Sequence, residues 1–172
     1  MHRVDLKIPP VVTSAVTAIG MWFVSRTLPT FALAPLRVVA VAMGIAGVMV
    51  TGSALLSFRR ARTTVNPMQP SSASALVTSG IYRYTRNPMY LGMLFVLVGW
   101  ALYLANVLAF LFLPAFILYM NRFQIEPEER AMTALFGQEF LEYASRVLKK
   151  LDRKSTRLNS SHATLSRMPS SA

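Results

Sequence analysis

Four long apolar runs dominate the chain, at 11–28, 33–58, 88–103 and 107–120. A bilayer core of about 30 Å takes roughly 20 apolar residues in helical form. The first run is interrupted late by Arg26, and the second carries Arg37 near its start. The last two carry no charge. The pattern predicts an all-α, polytopic membrane protein with about four transmembrane helices. Runs three and four form a C-terminal helical hairpin around a very short turn near Ala105 and Asn106. The chain is 53% hydrophobic, and four such helices leave too little polar surface to cover a soluble bundle. The first run has a basic start but no small-residue cleavage site before a polar mature domain, so a retained span is expected, not a removed signal. After position 120 the period changes. Met132, Leu135, Phe136, Phe140, Tyr143 and Val147 recur every three or four residues. That spacing predicts an amphipathic helix, broken or kinked at Gly137, on the membrane surface or over the ends of the spans.

Charge gives these runs a direction. Twelve basic residues lie on one side: Arg3, Lys7, Arg59, Arg60, Arg62, Arg83, Arg86, Arg122, Arg130, Arg146, Lys149 and Lys150. Only Arg26 and Arg37 flank the loop between the first two spans. The positive-inside rule puts the basic side, with both termini and the loop 59–87, in the cytoplasm. An integral membrane location, in a bacterial inner membrane, is expected. Orientation and attraction to the anionic lipid bilayer account for the basic surplus. No nucleic-acid partner is needed to explain it.

The stretch DRKSTRLNSSHATLSRMPSSA, 152–172, breaks with everything before it. It has no hydrophobic period and many serines, the composition of a disordered tail. It also resembles the translation of a sequencing-library adapter. On that reading the natural chain is cut off near Leu151, and the tail is set aside. The net charge is +11, of which the tail supplies +3, four basic residues against Asp152, leaving +8. Three regions follow: two N-terminal spans at 1–58, a polar-edged core at 59–151 and a non-native or disordered tail at 152–172.

Several chemistries are excluded. The chain has no cysteine, so it has no disulfide, thiolate metal site or cysteine nucleophile. No metal site is expected. No G-x-G-x-x-G follows a strand, so a nucleotide-like cofactor must be held some other way. Gly44, Gly47 and Gly52 in the second run, and Gly92 and Gly99 seven apart on one face of the third, read as close helix packing.

Two segments hold the polar chemistry. The first contains GIYRYTRNPMY, 80–90, at the edge of the third run. Ser79-Gly80 signals a turn. Pro88 suits a first helical turn, and Asn87 is a good N-cap. On local grounds the segment is fully explained as a helix start, with Arg83 and Arg86 as topology charges. Tyr82, Tyr84 and Tyr90 then form an interfacial aromatic belt. The second segment is EPEER, 126–130, where acids favour a helix start. Glu128 and Glu129 pair on that reading with Arg130 or surface lysines. The hairpin, however, makes the two segments neighbours. Arg86, Asn87 and Tyr90 are then expected beside Glu128 and Glu129, ringing one pocket at the membrane surface.

LVTSGIYRYTRNPMYLG, followed after a span pair by PEERAMTALFGQEFLEY, resembles the isoprenylcysteine carboxyl methyltransferase family, and the phospholipid N-methyltransferases are similar. The likeness covers roughly 63–148 through several motifs in order. It implies an S-adenosylmethionine-dependent methyltransferase whose cofactor sits between the cytoplasmic ends of the last two spans. By position, Leu76, Val77, Gly80 and Tyr82 supply walls and backbone contacts. Asn87, Tyr90 and Glu128 or Glu129 hold the cofactor's polar groups. Arg86 orients its carboxylate or an acidic acceptor. Arg86, Tyr90 and Glu129 are the catalytic candidates, and the acceptor is a lipophilic small molecule or a lipidated group, with carboxylate O-methylation favoured. Two positions depart from the family: Asn87 stands where its best-known members have His, and Phe140 where Tyr is frequent. A sterol-reductase-type enzyme using NADPH and a non-catalytic membrane protein are the alternative readings.

Overall fold

The computed structural model describes residues 8–27, 34–61 and 75–150. The described residues are helical with connecting turns and contain no strand. The helices are α1 (Pro10–Ser25), α2 (Ala34–Arg60), α3 (Pro88–Leu104), α4 (Val107–Phe110), α5 (Phe112–Met120) and α6 (Glu126–Phe136), then α7 at 138–150. A 3-10 turn, Gly80–Arg83, precedes α3, and a π-turn, Asn121–Ile125, joins α5 to α6. Of the expected loop 59–87, residues 62–74 lie outside the described residues, as do the two ends of the chain and residues 28–33.

Two helical stretches are long and apolar enough to cross a membrane, Leu36–Arg60 and Val107–Phe136. Helices α1 and α3 have 16 and 17 residues. At about 1.5 Å per residue they fall short of a 30 Å core. Only 17% and 22% of the apolar windows of the two long stretches are buried inside the protein. A soluble protein buries such helices. Here Val11, Val38, Val48 and Leu118 face outward, and an apolar surface this continuous is stable against lipid, not water. The chain is a membrane protein.

The packing follows from small residues. Helices α2 and α3 run antiparallel, with Gly47 against Gly92 and Ala40 and Gly44 against Gly99. A methyl group on Gly92 would meet the Gly47 carbonyl at 2.7 Å, and one on Gly99 the Ala40 carbonyl at 2.6 Å. Backbone contact of this kind is what small residues allow in lipid, where helices gain no hydrophobic drive to associate. Gly52 is different from Gly47: nothing lies within 4 Å of the place its methyl would take, so a side chain there would meet no neighbour.

Helix α1 is pinned at two heights. Trp100 Nε1 donates to the Ala18 carbonyl at 3.0 Å, and Gln124 Nε2 to the Ile8 carbonyl at 2.7 Å. Ala105 takes the left-handed conformation that ends α3 (φ 47°). Asn106 Oδ1 then caps α4 by accepting from the Leu108 amide at 3.0 Å. One core cluster runs between these helices, around Met21, Leu97, Ala101, Phe116 and Met120. A second joins the last turns of α2 to Val77, Tyr82, Phe140, Tyr143 and Val147. It seats α7 across the helix ends. Gly137 separates α6 from α7 with φ 52° and ψ −123°, backbone that L-residues rarely adopt, so the predicted break in the amphipathic stretch is present.

Candidate functional site

The polar groups at 86–90 and 126–129 meet where α3 begins and α6 begins. Tyr90 Oη donates to Glu128 Oε2 at 2.8 Å across 38 residues of chain. Arg86 Nη1 lies 2.9 Å from Glu129 Oε1, both side chains 28% exposed. That contact is out of line for a hydrogen bond, and no other donor among the described residues reaches this buried oxygen. The site thus contains a buried acceptor held by charge but not by a directed bond, a state that favours a ligand donor.

The local explanations of these residues fail in three places. Asn87 occupies the N-cap position of α3, but its side chain makes no cap hydrogen bond. Its amide instead donates to Thr85 Oγ1 at 3.3 Å, and its carbonyl accepts from Leu91. Glu128 and Glu129 sit in the first turn of α6, yet no free helix end is there. The Glu126 amide donates to the Asn121 carbonyl through the π-turn, so the dipole reading of these acids loses its basis. Tyr82 and Tyr90 are buried, at 7% and 8% exposure, and only Tyr84 of the three tyrosines faces outward. Two of the three therefore cannot form an interfacial belt.

The π-turn has a physical cause. Pro127 is fully buried and has no amide hydrogen for the Phe123 carbonyl four residues back. An uninterrupted α-helix would also drive its ring into that carbonyl. Widening the preceding turn to i→i+5 relieves the clash and inserts one residue into the helical phase. It also sets the direction in which Glu128 and Glu129 point.

The remaining candidates line the adjacent cluster. Val77 and Tyr82 are buried, and Leu76 packs partly buried beside them. Gly80 has φ 62°, and a methyl there would meet Ser57 Oγ at 2.5 Å. Both features require glycine at that turn. Tyr143 was legible only as an apolar-face position, but its Oη donates to the Tyr82 carbonyl at 2.8 Å across 61 residues. It fixes the 3-10 turn to α7, and no local spacing announces such a bond. Phe140 packs in the same cluster.

Burial sets the electrostatics. Glu128 lies beyond the apolar run 107–120. Burial lifts its carboxyl from 4.5 to about 6, against the lowering effect of the Tyr90 hydrogen bond, with nearby Glu129 adding to the rise. Burial also pushes the Tyr143 phenol up to about 12, while Arg86 pulls it down. It moves Tyr82 well above its ordinary range, with Glu128 and then Tyr143 adding to that. Both phenols are therefore neutral hydrogen-bonding groups at physiological pH. Among the described residues no group of three or more acidic or histidine side chains could hold a metal ion.

Comparison with known proteins fits this arrangement. The family model for phospholipid methyltransferase matches residues 35–139. The chain is 33% identical to human protein-S-isoprenylcysteine O-methyltransferase over 79 residues, 46% of the chain and 28% of the human protein. It is 34% identical to a probable protein-S-isoprenylcysteine O-methyltransferase of Oryza sativa subsp. indica over 112 residues, 63% of the chain and 57% of that protein. An uncharacterised protein of Haemophilus influenzae is 44% identical over 59 residues, 34% of the chain and 94% of its own length. The chain thus spans between about a quarter and just over half of the isoprenylcysteine methyltransferases named here. No solved structure matches. The family match takes in α2 through the start of α7 and so includes the whole Arg86–Glu129 and Tyr90–Glu128 arrangement: the chain belongs to the phospholipid methyltransferase family.

Proposed function

We propose that the protein is an integral membrane, S-adenosylmethionine-dependent methyltransferase acting on a lipid-like or isoprenoid-like acceptor, with a carboxylate the favoured methyl-accepting group. The observation that carries the reading is the meeting of Tyr90 with Glu128 and of Arg86 with Glu129 at the edge of the apolar helices. In this reading α1, α2, α3 and the apolar stretch from Val107 to Met120 are four spans. Helices α1 and α3 cross by local thinning of the bilayer or by snorkelling of their flanking residues. The basic ends and the site face the cytoplasm.

The residues present fit the cofactor's chemistry. It carries a sulfonium, an ammonium, ribose hydroxyls and a carboxylate. Glu128 and Glu129 would take the cationic and hydroxyl groups, Arg86 the carboxylate, and the Asn87 side-chain amide, which makes no cap hydrogen bond, another polar group. Leu76, Val77, Gly80 and Tyr82 would form the wall. Bound there, the cofactor would supply an already activated methyl group. The chain's own groups must first exchange partners, since Arg86 is paired with Glu129 and Tyr90 with Glu128. The Arg86–Glu129 pair is part-exposed and so weakly held, which makes the exchange inexpensive. A carboxylate acceptor has no proton to lose. Holding it in line while excluding water can contribute about 7–11 kcal/mol in favourable cases. An amine acceptor would need a base, and Glu129 or a Tyr90–Glu128 relay stands at hand.

Equilibrium binding in detergent tests the reading. Saturable binding of S-adenosylmethionine, weakened at least tenfold in Glu128→Gln and in Arg86→Ala, is the expected result, a loss of about 1.4 kcal/mol or more. Binding of NADPH in its place would refute the methyltransferase reading.

A further inference from the structure

A second polar site lies on α7, outside the pairs described above. Thr78, Arg83, Tyr143, Arg146, Val147 and Lys150 line a cleft of about 140 Å³. Tyr143 and Val147 are buried and form its floor, while Thr78, Arg83, Arg146 and Lys150 are exposed at its rim. No carboxylate lines it. Arg86, Asn87, Tyr90, Glu128 and Glu129 take no part in it.

The convergence of charge is the informative feature. Arg146 and Lys150 are one helical turn apart on α7, where like charges repel. Arg83, at the end of the 3-10 turn, joins them at the same cleft. The salt bridges Arg86–Glu129 and Arg122–Glu126 include none of these three cations. Tyr143 Oη is already spent on the Tyr82 carbonyl. That bond holds Arg83's turn and α7 together, so the three cations are kept close by a buried anchor. The Thr78 hydroxyl adds a neutral donor.

We propose that this cleft binds a phosphate group, anchoring the phosphate-bearing headgroup of an anionic lipid. Two guanidinium forks and an ammonium around a small concavity match the oxygens of a phosphate. The cleft lies at the end of the fold where α2 finishes in Arg59 and Arg60, the level at which headgroups meet protein. Basic pockets at that depth take lipid phosphates. A zwitterionic lipid carries a cation of its own that the three basic groups oppose. The proposal does not rest on the methyltransferase reading, because a chain with no methyl-transfer activity would bind the phosphate equally.

Native mass spectrometry and lipid titration on the full chain in detergent test it, with phosphatidylglycerol, phosphatidylcholine and inorganic phosphate as probes. Phosphatidylglycerol is expected to be retained over phosphatidylcholine. In Arg83→Gln/Arg146→Gln that retention weakens about tenfold or more. Arg59→Gln/Arg60→Gln removes equal charge from the same end of the fold and leaves retention unchanged. If inorganic phosphate binds, is lost in the first double variant and outcompetes the lipid, the site stands and its source is free phosphate. The assignment is overturned by equal retention of both lipids, by equal loss in the two double variants, or by no binding of any probe. Displacement of the lipid by S-adenosylmethionine would give the cleft to the cofactor and also overturn it. Unchanged thermal unfolding of the variants separates lost binding from lost fold.

Discussion

Replacing Tyr90 with Phe removes one oxygen and leaves the ring. The oxygen donates at 2.8 Å to Glu128 Oε2, and Tyr90 is 8% exposed, so water does not readily replace it. At pH 8 the Glu128 carboxyl, which titrates at about 6, is ionised. A hydrogen bond to a charged group contributes about 1.5–3 kcal/mol. At pH 5 the carboxyl is mostly protonated, and the bond is neutral, contributing about 0.5–1.5 kcal/mol. The sign is fixed by linkage. The carboxyl's folded value is raised, so its stability contribution is full below 4.5 and is lost as pH rises through about 6. The Tyr90 bond opposes that loss, so deleting it costs more at pH 8 than at pH 5. With roughly 2–4 °C of Tm per kcal/mol for a chain of this size, Tyr90→Phe should lower Tm by about 3–12 °C at pH 8 and clearly less at pH 5. Thermal unfolding in one detergent at the two pH values is the assay. An equal shift at both would show that the phenol's partner is not a titrating carboxylate, and the pairing of Tyr90 with Glu128 would have to be abandoned.

Three further outcomes follow from other contacts. Gly92→Val should cost about 2 kcal/mol or more, because its Cβ would stand 2.7 Å from the Gly47 carbonyl, backbone that cannot step aside. Gly52→Ala, with open space around it, should be neutral or raise stability by up to about 1 kcal/mol; paired unfolding measurements that rank them otherwise refute the packing account. Affinity for S-adenosylmethionine should fall as pH drops below about 6 and Glu128 is protonated, and Glu128→Gln should flatten the profile at its low level; a wild-type titration curve flat from pH 5 to 8 counts against Glu128 as a cofactor partner. Pro127→Ala should let the π-turn tighten to an α-turn, turning α6 by about 100° and moving Glu128 and Glu129 off Tyr90 and Arg86; cofactor binding should then drop while thermal stability holds, and unchanged binding would refute the role given to the π-turn.

The apolar runs were readable because hydropathy is a local, one-dimensional property. A residue's transfer energy into lipid does not depend on its partner. The meeting of 86–90 with 126–129 was also within reach of the sequence. The helices on either side of the short turn at Ala105 and Asn106 come back together at Tyr90 and Glu128. Which acid meets which donor was not readable. That depends on the rotational phase of α6, which Pro127 resets through a π-turn. The same holds for Asn87, whose residue type announced a cap and whose backbone geometry made none. Gly47 and Gly52 look alike in sequence, and only the approach of α3 gives one a neighbour and leaves the other open. Tyr143 reaches Tyr82, and Arg83 joins Arg146 and Lys150, because α7 folds back over the helix ends. Hydropathy along the chain was enough to show a membrane protein, and the spacing of the polar segments was enough to expect 86–90 beside 126–129. Tertiary structure alone decided which side chains touch, because contacts depend on helix phase and approach distance, quantities that no single stretch of chain contains.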